Sequence, residues 1–209
     1  MIEIIDNVLQ LTVTSVCAVW ASVIAITRKS QQYFILACFY ITFALGLLFW
    51  LLYLVFMTYT PKIFYVSDLS WIASFLFLLM LNLSLLTPQE HKYRPIRAWI
   101  VSTIFLIATI FLLFFGDFFI SLMWCGMITV SSYFSTRGIL YARKQQGSAR
   151  KLQYIYIAVL VVAVLEFTLW ILSCYFKSSD ISNPYFWCDF LLSAGLFALM
   201  PAMKKAVPK

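Results

Sequence analysis

Three acidic residues stand where a carboxylate is costly. Glu166 lies inside the uncharged run Val161-Val-Ala-Val-Leu-Glu-Phe-Thr-Leu-Trp170. Asp189 follows Asn183-Pro-Tyr-Phe-Trp-Cys188 and precedes a further apolar run, and Asp68 opens another. An ionisable group within a long apolar stretch must be paired, protonated or hydrated, so it marks a cation site, a proton carrier or a ligand anchor. Asp68 and Asp189 also suit a simpler role, favouring the positive end of a helix that starts beside them. Trp50, Tyr65, Trp71, Trp170, Tyr185 and Trp187 fall at similar depths along their stretches. Rings beside carboxylates can hold an ammonium group. They equally form the aromatic belt of a membrane interface.

The stretches that must position these groups are long. Apolar segments cover about 8–27, 33–57, 67–87, 98–116, 118–137, 152–175 and 185–203. The chain is 64% hydrophobic and 11% charged, against about 25% charged in a soluble domain. About 20 apolar residues cross the hydrocarbon of a bilayer as a helix, and backbone in lipid must bond internally. The expected fold is therefore all-α: a polytopic membrane protein of seven transmembrane helices in one domain, 1–209.

Charge sets the expected orientation. Arg28 and Lys29 follow the first stretch, and Lys92, Arg94 and Arg97 the third. Arg137, Arg143, Lys144, Arg150 and Lys151 follow the fifth, and Lys204, Lys205 and Lys209 the seventh. Of the 15 basic residues only Lys62 and Lys177 fall on the other side, together with Glu3, Asp6, Asp68, Asp117 and Asp180. The positive-inside rule then places the N-terminus outside and the C-terminus in the cytoplasm. The formal charge of +7 finds its partner in anionic lipid headgroups, and no nucleic acid is expected. The acidic start is unlike a signal peptide. Residues 8–27 read as the first span, with 1–6 against the outer interface. A multi-pass plasma membrane protein, of a bacterial inner membrane, is the expected setting.

The chain also echoes itself. With Asp68 laid on Asp189, Ala73 meets Ala194, Ser74 meets Gly195 and Leu78 meets Leu199. Thr27-Arg28 and Thr136-Arg137 close the first and fifth stretches alike. This gives a 3+1+3 plan: a three-helix unit at 8–87, a linker helix at 98–116 and a parallel second unit at 118–203. Chance agreement within an apolar alphabet is the competing explanation.

Other groups carry less. Thr129, Ser132 and Thr136 form a polar stripe, either a packing surface or a polar conduit toward the cytoplasm. Cys174 and Cys188 flank one joint, as a disulfide or as two thiols. His91 is the only histidine and suits a headgroup contact. Pro201 kinks the last stretch or marks its approaching end. No metal site, cofactor, phosphate loop or nucleophile–histidine pair is expected, so the chain does not read as an enzyme.

Seven spans running from outside to inside resemble the rhodopsin-like architecture, but the last stretch has no lysine before Lys204 to carry retinal. The 3+1+3 plan resembles transporters of the SWEET and PnuC types. Phe64-Tyr-Val-Ser-Asp-Leu-Ser-Trp-Ile-Ala-Ser74 resembles the third span of bacterial seven-helix sensory modules, though no kinase or cyclase domain accompanies it. The leading reading is an integral membrane module that recognises a small polar or cationic extracellular ligand through Asp68, Glu166 and Asp189, with Trp71, Trp170, Tyr185 and Trp187 shaping the pocket and a cytoplasmic or membrane protein partner to receive the signal. A small-solute transporter and a structural membrane subunit are the alternatives.

Overall fold

The computed structural model describes residues 2–57, 65–114, 118–176, 178 and 180–207. Lys62, Asp117, Lys177 and Lys209 lie outside them. The described residues form helices α1 (Ile2–Arg28), α2 (Gln31–Phe56), α3 (Tyr65–Ser84), α4 (Pro88–Lys92), α5 (Ile96–Leu112), α6 (Phe118–Ala142), α7 (Gly147–Lys151), α8 (Gln153–Tyr175) and α9 (Pro184–Ala206). Six of these are long and apolar enough to cross a membrane. Helix α5, at 17 residues, rises about 25 Å, short of the ~30 Å hydrocarbon core. The protein is thus an all-α, polytopic membrane protein. Its flanks agree, since Ile26, Phe56, Ile107 and Phe114 are 77, 75, 63 and 81% exposed. Side chains this apolar are stable at a surface only where lipid covers them.

The long helices close a ring in the order α1, α2, α3, α6, α8, α9 and back to α1. Contact is more extensive within α1–α2–α3 and within α6–α8–α9 than between the two trios. The trios meet along two seams, α3 with α6 and α9 with α1. Both seams join parallel helices. Along one, Phe75 midway along α3 meets Trp124 in the early part of α6, and Asn82 meets Ser135 further along both. Along the other, Gln10 meets Asp189 and Trp20 meets Phe197. Helix α5 lies outside the ring on α6, where Ser102 Oγ donates to Thr129 O at 2.9 Å.

Aromatic packing fills the ring. Phe39, Phe43, Phe75 and Tyr40 are all within 1% of complete burial. Tyr40 Oη reaches from α2 to donate to Leu196 O on α9 at 2.7 Å, which satisfies a polar tip that burial would otherwise penalise.

Local chemistry explains the helix ends. Ser30 N–H closes the α1–α2 turn onto Ala25 O at 3.1 Å, with Lys29 at φ 49 in the left-handed region that such a cap requires. Thr87 caps α4 through its hydroxyl, and Asn183 caps α9. Proline follows each cap, where its missing N–H costs nothing. Pro201 lies within α9, which continues through it to Ala206. At the other end of the chain, α1 starts at Ile2 rather than near residue 8, so Glu3 and Asp6 belong to a helix.

Candidate functional site

Helix α1 carries Asp6, Gln10, Thr14, Cys17, Ala21 and Ala25 at spacings of three and four, and all are buried. That spacing makes one face, and α1 turns it toward α2 and α9. From this face Gln10 Nε2 donates to Asp189 Oδ1 at 2.6 Å. The Asp6 carboxyl lies beside that of Asp189, within hydrogen-bonding reach. Asp6 is 0% exposed, and neither of its oxygens has a described donor. Glu166 of α8 lies near enough to feel the charge of Asp189. Tyr185, one turn before Asp189 on α9, faces Asp189, Asp6, Glu166 and Glu3. Ser193, one turn beyond Asp189, is 4% exposed with its hydroxyl unpartnered. The result is an acidic cluster on α1, α8 and α9, buried at Asp6 and Asp189 and half-buried at Glu166, toward the end of the ring where α1 and α9 begin.

Two of the three acids expected to share a site, Glu166 and Asp189, are together here. Asp68 stands in the first turn of α3, which packs on α2 and α6 and is opposite α9 in the ring. The aromatic candidates divide in the same way. Trp170 is one turn from Glu166 on the same face of α8, its ring 6.3 Å from that of Trp124, and both indole N–H groups are buried without an acceptor. Trp71 packs on α2, its Nε1 lying 3.0 Å from where a Cβ at Gly46 would be. Trp187 is 57% exposed and donates through its indole N–H to Ile181 O.

In the stripe Thr129, Ser132 and Thr136, the Thr129 and Thr136 hydroxyls are buried without a partner among the described residues. Thr129 O accepts from Ser102 of α5 and from Ser132. The α6 hydroxyl that meets α3 belongs to Ser135, accepting from Asn82 Nδ2 at 3.0 Å.

A second polar group closes the other end of the ring, where the basic residues gather. Glu90, on the short helix α4, is 0% exposed. Tyr156 Oη donates to its Oε2 at 3.3 Å, while its Oε1 has no partner. Burial pushes the Glu90 carboxyl above the usual range, with the nearby Arg137 charge, the Tyr156 hydroxyl and the Thr87 backbone opposing that rise. Arg137 is 4% exposed, stacked over Phe134 at 4.7 Å, with Nε and Nη2 unpartnered. Gly138 makes room for this group, because a Cβ there would come within 2.6 Å of the Tyr156 ring.

Asp6, Gln10 and Glu90 are the residues that sequence reasoning missed. Asp6 and Gln10 were detectable as part of the three- and four-residue stripe on α1. Glu90 completes the pattern Thr87-Pro-Gln-Glu90, a helix-start signature, but nothing in it says that the side chain turns inward.

Among the described residues no group of three or more His, Cys, Asp or Glu side chains is arranged to hold a metal ion. The described cysteines are free thiols, Cys174 and Cys188 included. A recess of about 290 Å³ lies between Ala25, Lys29, Gln31 and Phe34, at the far end of α1 from the acids and lined mainly by apolar surface. Comparison with protein-family models, curated proteins and solved structures finds no match to this chain.

Proposed function

We propose that this protein is an integral membrane module that recognises a small cationic solute, of ammonium type, from outside the cell. The supporting observation is the buried junction of Gln10 and Asp189 beside Asp6, whose carboxyl has no donor among the described residues. Buried acidic groups without basic partners attract a cation. Trp170 offers a ring face one turn from Glu166. In this reading α5 completes seven spans, and the basic ends of α1, α3, α6 and α9 face the cytoplasm under the positive-inside rule. A cytoplasmic or membrane partner would receive the signal.

The test is thermal stabilisation of the purified protein in detergent by methylammonium, tetramethylammonium and choline. The expected result is a shift that Asp189→Asn and Glu166→Gln each reduce. No shift with any of the three, in protein that unfolds cooperatively, would sink the reading.

A second reading, transport of the same solute, is favoured by the polar group at the far end of the same ring. Asn82, Ser135, Glu90, Arg137 and Tyr156 would line the exit. Uptake of labelled methylammonium into proteoliposomes separates the two readings, since recognition alone moves no label across the bilayer.

A further inference from the structure

Asp6 and Asp189 form a carboxyl pair across the α9–α1 seam. Both are more than nine-tenths buried. Gln10 Nε2 donates to Asp189 Oδ1, which marks Asp189 as the hydrogen-bond acceptor of the pair. Asp6 touches Asp189, yet no described N–H or O–H reaches either Asp6 oxygen. Two carboxylates brought into contact away from water do not both ionise. A single proton on Asp6, donated to Asp189, supplies the missing hydrogen bond.

Among the described residues no basic side chain is placed against the pair. Glu3 faces it from α1, Tyr185 and Cys188 from α9, and Glu166 from α8. Helix α2, also packed on α1, has no charged residue, and its titratable groups are Tyr33, Cys38, Tyr40 and Tyr53. Arg28, Lys204 and Lys205 stand at the far ends of α1 and α9. The unpartnered hydroxyl of Ser193, one turn beyond Asp189 and 4% exposed, offers an acceptor for an ammonium N–H.

We infer that the Asp6–Asp189 pair holds one proton at rest and releases it when a monovalent cation binds, so that the site exchanges a proton for its ligand. This rests on the cation-recognition reading. In the exchange the acid O–H bond of Asp6 breaks, its electron pair stays on the oxygen and the proton passes to water. The arriving ammonium group replaces the lost positive charge. The site's net charge is therefore the same before and after, as a poorly hydrated position demands.

The experiment is titration of the full-length protein in weakly buffered detergent with methylammonium chloride, read by a pH indicator, with sodium chloride at matched ionic strength as the control. The expected result is proton release that saturates together with the thermal shift, close to one proton per bound cation. Asp6→Asn abolishes the release, whereas Glu166→Gln keeps it at ligand concentrations that restore occupancy. Infrared difference spectra of the wild type need no variant and should show the protonated carboxyl C=O band fading as the cation binds. Thermal stabilisation with neither proton release nor loss of that band, at pH values on both sides of neutrality, overturns the exchange and leaves recognition standing. Absence of any stabilisation overturns both.

Discussion

Gln10 on the first helix donates to Asp189 on the last across 2.6 Å, so one buried hydrogen bond helps to close the ring. Its acceptor is an acid in contact with a second acid, Asp6. Leaving a buried polar group unpaired costs ~1–3 kcal/mol. Gln10→Leu should lower stability by about that amount and weaken the cation-induced shift. Thermal unfolding in detergent, with and without methylammonium, measures both. An unchanged midpoint would mean that the α9–α1 seam is held by apolar packing alone.

The glycines of α6 separate two environments on one helix. Gly138→Ala must push the Tyr156 ring away from Glu90, because the new Cβ would lie 2.6 Å from that ring. Overpacking of this kind costs ~1–3 kcal/mol. Gly126 has nothing within 4 Å of an added Cβ, so Gly126→Ala should be neutral or slightly stabilising through its helix propensity. Comparing the two midpoints tests the placement of α6. Equal losses would contradict it.

Glu90 has a pH signature of definite sign. Its carboxyl is raised in the fold, chiefly by burial. The folded chain therefore holds that proton at pH values where the unfolded chain has lost it, and stability falls as pH rises from the ordinary glutamate range through the raised value. Glu90→Gln should remove this slope. The observable is the wild-type minus variant difference in unfolding midpoint, plotted against pH from the acid side to neutrality. The difference should be largest at the neutral end, where only the wild type carries the charge. A pH-independent difference would show that Glu90 titrates as an ordinary surface acid.

Topology has a direct test. Ser148 on α7 and Ser178 between α8 and α9 are both exposed. In a cysteine-free background, Ser178→Cys in intact cells should react with a membrane-impermeant maleimide, and Ser148→Cys only after permeabilisation. The opposite pattern would reverse the orientation and place the acidic cluster toward the cytoplasm.

Glu166 and Asp189 could be singled out in the sequence for a physical reason. Glu166 and Asp189 interrupt apolar runs, and a carboxyl there has few places to go but the interior. Asp68 has the same residue type and a similar start-of-helix position, yet α3 is opposite α9. Local sequence does not encode ring order, so the third acid could not be assigned from sequence alone. Asp6 was obscured in the reverse way. An acid this near a helix start suits the water interface as well as the interior, and only packing against α9 decides between them. The stripe of Thr129, Ser132 and Thr136 follows helical spacing, but α6 has neighbours on three sides, α3, α5 and α8. Spacing shows that those residues share a face and leaves open which neighbour it meets. Glu90 depends on a five-residue helix folding back beneath the ring, an outcome of tertiary packing.

The parallel seams bear on how the protein is made. Helices α1, α2 and α3 leave the ribosome in succession and are one another's neighbours, so they can pack as they enter the bilayer. Asp6 and Gln10 then wait, facing lipid or water, until α9 is synthesised. Helix α9, made after these three, is the one that shelters α1. A nascent chain stopped before α9 would carry a carboxyl and an amide on an open flank, a feature that membrane quality control could recognise. Arrival of α9 and concealment of the acidic pair would then be one event.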